Sequence, residues 1–135
     1  QKKFAEADKR LAVVVTLKDF PLLDLAYLRQ GQCRVELGNY DQAIEFYQKT
    51  FEILNDLENP DTAMCLNNLG LAHHQKGNYK LAIEYLQEAL EVYQDSFGPN
   101  YHEITTTLSN LGLSFFEMGN YNQAIELHQK AFASF

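Results

Sequence analysis

The chain has 135 residues, a formal net charge of −7 and a pI of about 5.0, with 46% hydrophobic residues. The acidic balance argues against nucleic acid, whose backbone demands a positive surface, and mildly favours a neutral or basic protein partner. No apolar run approaches the ~18 residues of a membrane span, and the only two cysteines, Cys33 and Cys65, read as reduced packing thiols of a cytoplasmic protein.

The chain opens Gln1-Lys2-Lys3-Phe4, with neither an initiator Met nor a signal-peptide layout, which reads as an excised domain. Phe4, Ala7, Leu11 and Val14 recur at spacings of three and four, so residues 2–15 are predicted to form a helix with one apolar face. Phe20-Pro21 ends it. Residues 22–37 form the next helix, Gly38-Asn39 turns the chain, and residues 41–58 return. Both turn residues tolerate positive φ. Asn59-Pro60-Asp61 restarts the pattern, with proline where a helix start accepts it. Helices follow over 62–76 and 80–96. After the longer linker Phe97-Gly98-Pro99-Asn100, two more run over about 102–118 and 122–135. No alternation bounded by turn signals appears, so no strand is predicted.

One stretch organises this order. Gly38-Asn39-Tyr40-Asp41-Gln42-Ala43-Ile44-Glu45 returns as Gly77-Asn78-Tyr79-Lys80-Leu81-Ala82-Ile83-Glu84 and as Gly119-Asn120-Tyr121-Asn122-Gln123-Ala124-Ile125-Glu126. The leading glycines are 39 and 42 residues apart, a period that marks stacked supersecondary units. A second glycine, Gly31, Gly70 or Gly112, stands seven residues upstream of each. The first helix carries the pattern of the second half of a repeat. The organisation is therefore a half repeat at 1–16 and full repeats at 21–58, 59–97 and 98–135: an all-α solenoid of about seven helices. Glycine inside a helix costs about 1 kcal/mol against alanine. Its recurrence implies close approach of the paired helix, with Ala43, Ala82 and Ala124 facing it. The tyrosine after each turn is expected to wedge between repeats.

These residues resemble the tetratricopeptide repeat. The helix glycines, the turn glycines, the tyrosines and Ala43, Ala82 and Ala124 match its skeleton, as do Ala89 and Ala131. Thr50 departs from it, and the family's Trp and terminal Pro are missing. The longer periods are similar to the kinesin-light-chain type, whose signature resembles Gly98-Pro99-Asn100-Tyr101-His102-Glu103-Ile104 running on to Asn110-Leu111-Gly112. The resemblance implies a right-handed superhelix whose first helices line a concave groove. Counted from each helix glycine, groove positions fall at −6, −3, −2, +1 and +4. Repeat one then offers Leu25, Leu28, Arg29, Gln32 and Val35, and repeat two Met64, Asn67, Asn68, Leu71 and His74. Repeat three offers Thr106, Ser109, Asn110, Leu113 and Phe116.

The row is rich in amides and hydroxyls beside an apolar strip, and Arg29 is its one formal charge. An Asn side chain can pair with a backbone amide at both ends. The implied function is a non-enzymatic scaffold that binds an extended peptide. Asn68 and Asn110 lead the candidates, followed by Arg29, Asn67, Leu71, His74, Leu113, Phe116 and Gln32. The alternative for the amides is that they keep a solvated face polar. The alternative for the protein is self-association through exposed edges, since Ala131, Phe132 and Phe135 end the array.

Other chemistries find little support. Co-chaperone repeats hold a C-terminal carboxylate with a Lys/Asn/Asn/Lys/Arg clamp. The matching positions here are Leu28, Gln32, Asn68, Thr106 and Asn110, without the cations. His73 and His74 are adjacent and point about 100° apart on a helix, a poor metal pair. His128 stands where an apolar residue is usual. No phosphate loop, Cys-x-x-Cys or Ser/His/Asp set appears, so no catalytic residue, metal or cofactor is expected. Glu45, Glu84 and Glu126 read as solvated. Gln30 and Arg34 replace apolar or aromatic neighbours of the other repeats: either this helix packs on a wetter neighbour, or Arg34 pairs with a carboxylate.

Overall fold

Three apolar-faced helical hairpins follow one another. The computed structural model describes residues 4–7, 9, 23–54, 60–98 and 102–133. Among these lie α1 (Leu23–Glu36), α2 (Tyr40–Leu54), α3 (Pro60–Gln75), α4 (Tyr79–Phe97), α5 (His102–Glu117) and α6 (Tyr121–Ala133). Residues 4–7 and 9 are also helical, while the rest of the expected first helix and its break at Phe20-Pro21 lie outside the described residues. So do 55–59, 99–101 and Phe135. No strand occurs among the described residues. Proline opens α3, as expected for a residue whose missing N–H would be unpaired in any first turn.

The second helix of each hairpin buries one stripe. Ala43, Ile44, Tyr47 and Thr50 are buried in α2, and Ala82, Ile83, Leu86, Ala89, Val92 and Tyr93 in α4. Ala124, Leu127 and Ala131 are buried in α6. Such i, i+3, i+4, i+7 spacing makes one face of a helix.

The turns are built alike. Gly77 takes φ 88°, and its N–H donates to the His74 carbonyl at 3.0 Å while the Asn78 N–H donates to His73 at 2.8 Å. That pair of bonds is a Schellman closure, which satisfies the last carbonyls of a helix. Gly38-Asn39 and Gly119-Asn120 repeat it on Val35/Arg34 and Phe116/Phe115. Each asparagine then starts the next helix: its carbonyl accepts from Ala43, Ala82 or Ala124 at 3.0, 3.0 and 3.2 Å. Only the glycine needs the left-handed region, since Asn78 sits at φ −88°. Because the asparagine serves both ends, the second helix begins on the tyrosine, one residue earlier than the spacing predicts.

The fold divides into two compact units, residues 1–55 and 56–135. In the first, α1 packs against α2. In the second, α3 pairs with α4 and α5 with α6, α4 packs on α5, and α3 touches α5. The second unit's core is built from Leu66, Leu69, Ala72, Leu86, Leu108 and Leu111.

The helix glycines do face the partner helix, but the residue they admit lies one turn past the alanine. A Cβ on Gly31 would stand 2.5 Å from Tyr47 Cε1, one on Gly70 2.6 Å from Leu86 Cγ, and one on Gly112 2.7 Å from His128 Nε2. At Gly70 the Ala82 carbonyl oxygen is also close, at 3.2 Å. The missing side chain thus makes room for a large one, which accounts for His128.

Two of the three tyrosines after the turns pack within their own hairpins. Tyr79 meets His74 edge-on at 5.1 Å between ring centroids, and Tyr121 meets Phe116 at 5.3 Å. Arg34 also bonds within its hairpin, donating to Gln42 Oε1 at 2.6 Å, with its guanidinium 5.8 Å from the Phe46 ring centroid. Gln30 is buried, and its Oε1 has no partner among the described residues.

Candidate functional site

The first helices of the last two hairpins touch, and Asn67, His74 and Asn110 of the predicted groove residues bond across that contact or onto it. Asn67 of α3 and Asn110 of α5 are joined directly: Asn110 Nδ2 donates to Asn67 Oδ1 at 3.5 Å. Thr107 adds to the same acceptor. Its hydroxyl lies 3.4 Å from Asn67 Oδ1 and 2.9 Å from the Glu103 carbonyl oxygen one turn back. Further along, His74 Nδ1 and Ser114 Oγ are 2.9 Å apart. Two polar rungs therefore tie α3 to α5.

The amide ends left over differ. Asn68 is half-buried, and its Nδ2 is buried with no hydrogen-bond partner among the described residues. The Oδ1 atoms of Asn68 and Asn110 have no partner among the described residues and are not enclosed. Beside this row lies the apolar strip. Leu71 is half-buried, while Leu113 and Phe116 are 47% and 53% exposed. Met64 and Ser109 are half-buried and Thr106 is exposed.

The remaining candidates sit in the first unit. Arg29 is exposed and donates through Nη1 to Gln32 Oε1 at 3.3 Å, one turn along α1. Leu25 is exposed and Val35 half-buried, but Leu28 is only 3% exposed, so the −3 position of repeat one belongs to the core.

Sequence reasoning missed Thr107 and Ser114. The signal was present: repeat three has hydroxyls where the other two have Ala26 and Cys65, or Cys33 and Ala72. A polar side chain at an otherwise small apolar position of a buried seam needs a partner, and the facing helix supplies it.

Acidic side chains gather elsewhere. Glu84, Glu88 and Glu91 line a shallow depression of about 420 Å³ on α4 with Leu81, Tyr85 and Gln87. Among the described residues no group of three or more His, Cys, Asp or Glu side chains could hold a metal ion. No described helix is long and apolar enough to cross a membrane.

The family model of the tetratricopeptide repeat matches residues 22–95 and again 66–135. No curated protein sequence matches the chain. Solved structures do. BtubC (BKLC) from P. vanneervenii superposes with a TM-score of 0.88 at 24% identity, over 98% of this chain and 56% of that one. A putative kinesin light chain of Podosopora anserina, with nearly identical TPR-like repeats, gives 0.79 at 18% identity, over 98% and 67%. The TPR2AB domain of yeast Sti1, in complex with pHSP90, gives 0.71 at 25% identity, over 83% and 41%. The chain thus spans little more than half the length of BtubC.

Proposed function

We propose, from the premise that the chain belongs to the tetratricopeptide-repeat family, that it is a non-enzymatic scaffold holding an extended peptide along the seam of α3 and α5. The family fold is generally a protein–protein interaction module. The observation that carries the finer reading is the Asn67–Asn110 bond, which sets the amides of two successive repeats side by side in one row. Asn68 Oδ1, Asn110 Oδ1 and the exposed Leu113 and Phe116 are then available together.

An extended peptide advances ~3.3 Å per residue, and packed helices stand 8–10 Å apart. One repeat therefore spans about three ligand residues, and a polar row beside an apolar strip matches the alternating backbone and side chains of such a segment. The Sti1 structure holds pHSP90. The clamp cations are missing here, so an internal, neutral to basic segment fits better than a C-terminal carboxylate. A cytoplasmic setting suits reduced Cys33 and Cys65.

Each lost hydrogen bond is worth about 0.5–1.5 kcal/mol. Asn68→Ala/Asn110→Ala should weaken a peptide mapped by pull-down roughly ten- to a hundredfold in calorimetric titration, with helicity retained. Unchanged affinity would move the ligand off this seam. A second reading, self-association through an edge, is favoured by Ile125, which is 54% exposed where its repeat equivalent Ile83 is 8% exposed, and by Phe132 at 79%.

A further inference from the structure

We propose that His74 is a fixed hydrogen-bond donor of the groove, held as the Nε2–H tautomer by Ser114, so that the ligand must place an oxygen acceptor opposite it. The inference rests on the groove reading for its ligand, but not for its tautomer.

Ser114 lies inside α5 with 0% exposure. Two of the buried threonines turn their hydroxyls back onto the preceding turn: Thr50 to the Phe46 carbonyl and Thr107 to the Glu103 carbonyl, both at 2.9 Å. Ser114 does not. Its one partner among the described residues is His74 Nδ1 at 2.9 Å. A neutral imidazole nitrogen is either donor or acceptor, and a hydroxyl has one hydrogen to give. If His74 carried its proton on Nδ1, that N–H would point at Ser114 Oγ, and the serine hydrogen would be buried with no acceptor. Leaving a buried donor unmade is the costly arrangement. With Nδ1 bare, Ser114 donates to it and both groups are satisfied. The proton of neutral His74 is then on Nε2.

That N–H is available. His74 is half-buried, and Nε2 has no partner among the described residues and is not enclosed. The ring is held at one nitrogen by Ser114 and against Tyr79, whose ring meets it at 65°. A donor fixed in this way loses little freedom on binding. It selects a backbone carbonyl or the side-chain oxygen of Asn, Gln, Asp or Glu, and it opposes a lysine or arginine N–H at the same place.

Two measurements test this. In the whole chain labelled with ¹⁵N-histidine, long-range proton–nitrogen correlation at alkaline pH should show the Nε2–H pattern for His74. Ser114→Ala should shift it toward a mixture of tautomers. An Nδ1–H pattern in the wild type overturns the assignment. For the ligand, peptides are selected from a displayed library on the wild-type chain, and those weakened by Asn68→Ala/Asn110→Ala are kept. His74→Asn keeps an acceptor for Ser114 but withdraws the outer donor, whereas His74→Gln reaches the Nε2 position with an N–H. Affinity should fall about tenfold in His74→Asn and stay within about threefold in His74→Gln. Equal affinity of His74→Asn and wild type, or equal losses in both variants, refutes the donor role. Peptides indifferent to the asparagine pair overturn the groove reading and leave the tautomer result standing.

Discussion

The same substitution at the same repeat position should have opposite effects in the last two hairpins. Gly70→Ala and Gly112→Ala each gain about 1 kcal/mol of helix propensity. At Gly70 the new methyl would lie 2.6 Å from Leu86 Cγ and 3.2 Å from the Ala82 carbonyl oxygen. Leu86 is 0% exposed and has nowhere to go. Overpacking of this kind costs about 1–3 kcal/mol, and backbone in the contact places it toward the upper end. The net should be a loss of about 1 kcal/mol or more. At Gly112 the three nearest atoms all belong to the His128 ring, and His128 is exposed. The ring can swing outward, so Gly112→Ala should be neutral or stabilising by up to about 1 kcal/mol. For a domain of this size 1 kcal/mol moves the melting temperature by about 3–5 °C. The two variants should therefore melt about 3–10 °C apart by circular dichroism. If Gly112→Ala falls as far as Gly70→Ala, the glycines are not there to admit the residue opposite.

Gly77 has open space around its missing Cβ but takes φ 88°, so Gly77→Ala should cost about 1–2 kcal/mol through conformation alone, with Gly77→Asn costing less in the same melting experiment. Gln30→Leu replaces a buried amide whose Oε1 has no partner among the described residues with the residue that Leu69 and Leu111 supply in the other hairpins. It should raise the urea midpoint by the equivalent of about 1–3 kcal/mol, and a lower midpoint would show that the amide is satisfied in solution. Ile125→Gln/Phe132→Gln should lower any concentration-dependent mass seen by light scattering while keeping helicity, and an unchanged oligomer would place the contact elsewhere.

Helices and turns were legible because they depend on local chemistry. The Gly-Asn-Tyr joint closes one helix and opens the next with bonds among neighbouring residues, so three copies announce three hairpins. What a side chain meets across a seam is not local. Position +4 after each helix glycine could be read as groove-lining, but His74 finds Ser114 forty residues away, on the next hairpin. The side chain that fills the gap opposite each helix glycine was not legible for the same reason: period fixes which face a residue shares, while the rotamers of Tyr47, Leu86 and His128 fix which residue fills the gap. Leu28 shows the limit of carrying a register between repeats, since the position that holds a polar residue in Asn67 and Ser109 is core in α1.

The joint itself bears on how such a chain changes length over generations. Asn39, Asn78 and Asn120 each give their N–H to the helix behind and their carbonyl to the helix ahead. A codon inserted there would break both closures at once, so the hairpin is inherited whole. The stretch from a turn glycine to the next helix glycine is under no such constraint. It is 32 residues from Gly38 to Gly70 and 35 from Gly77 to Gly112, while the helix-to-turn glycine spacing stays at seven. Insertions and deletions in descendants of this chain should therefore collect between hairpins, and a duplication that survives should copy a segment cut in those intervals rather than at the Gly-Asn joint.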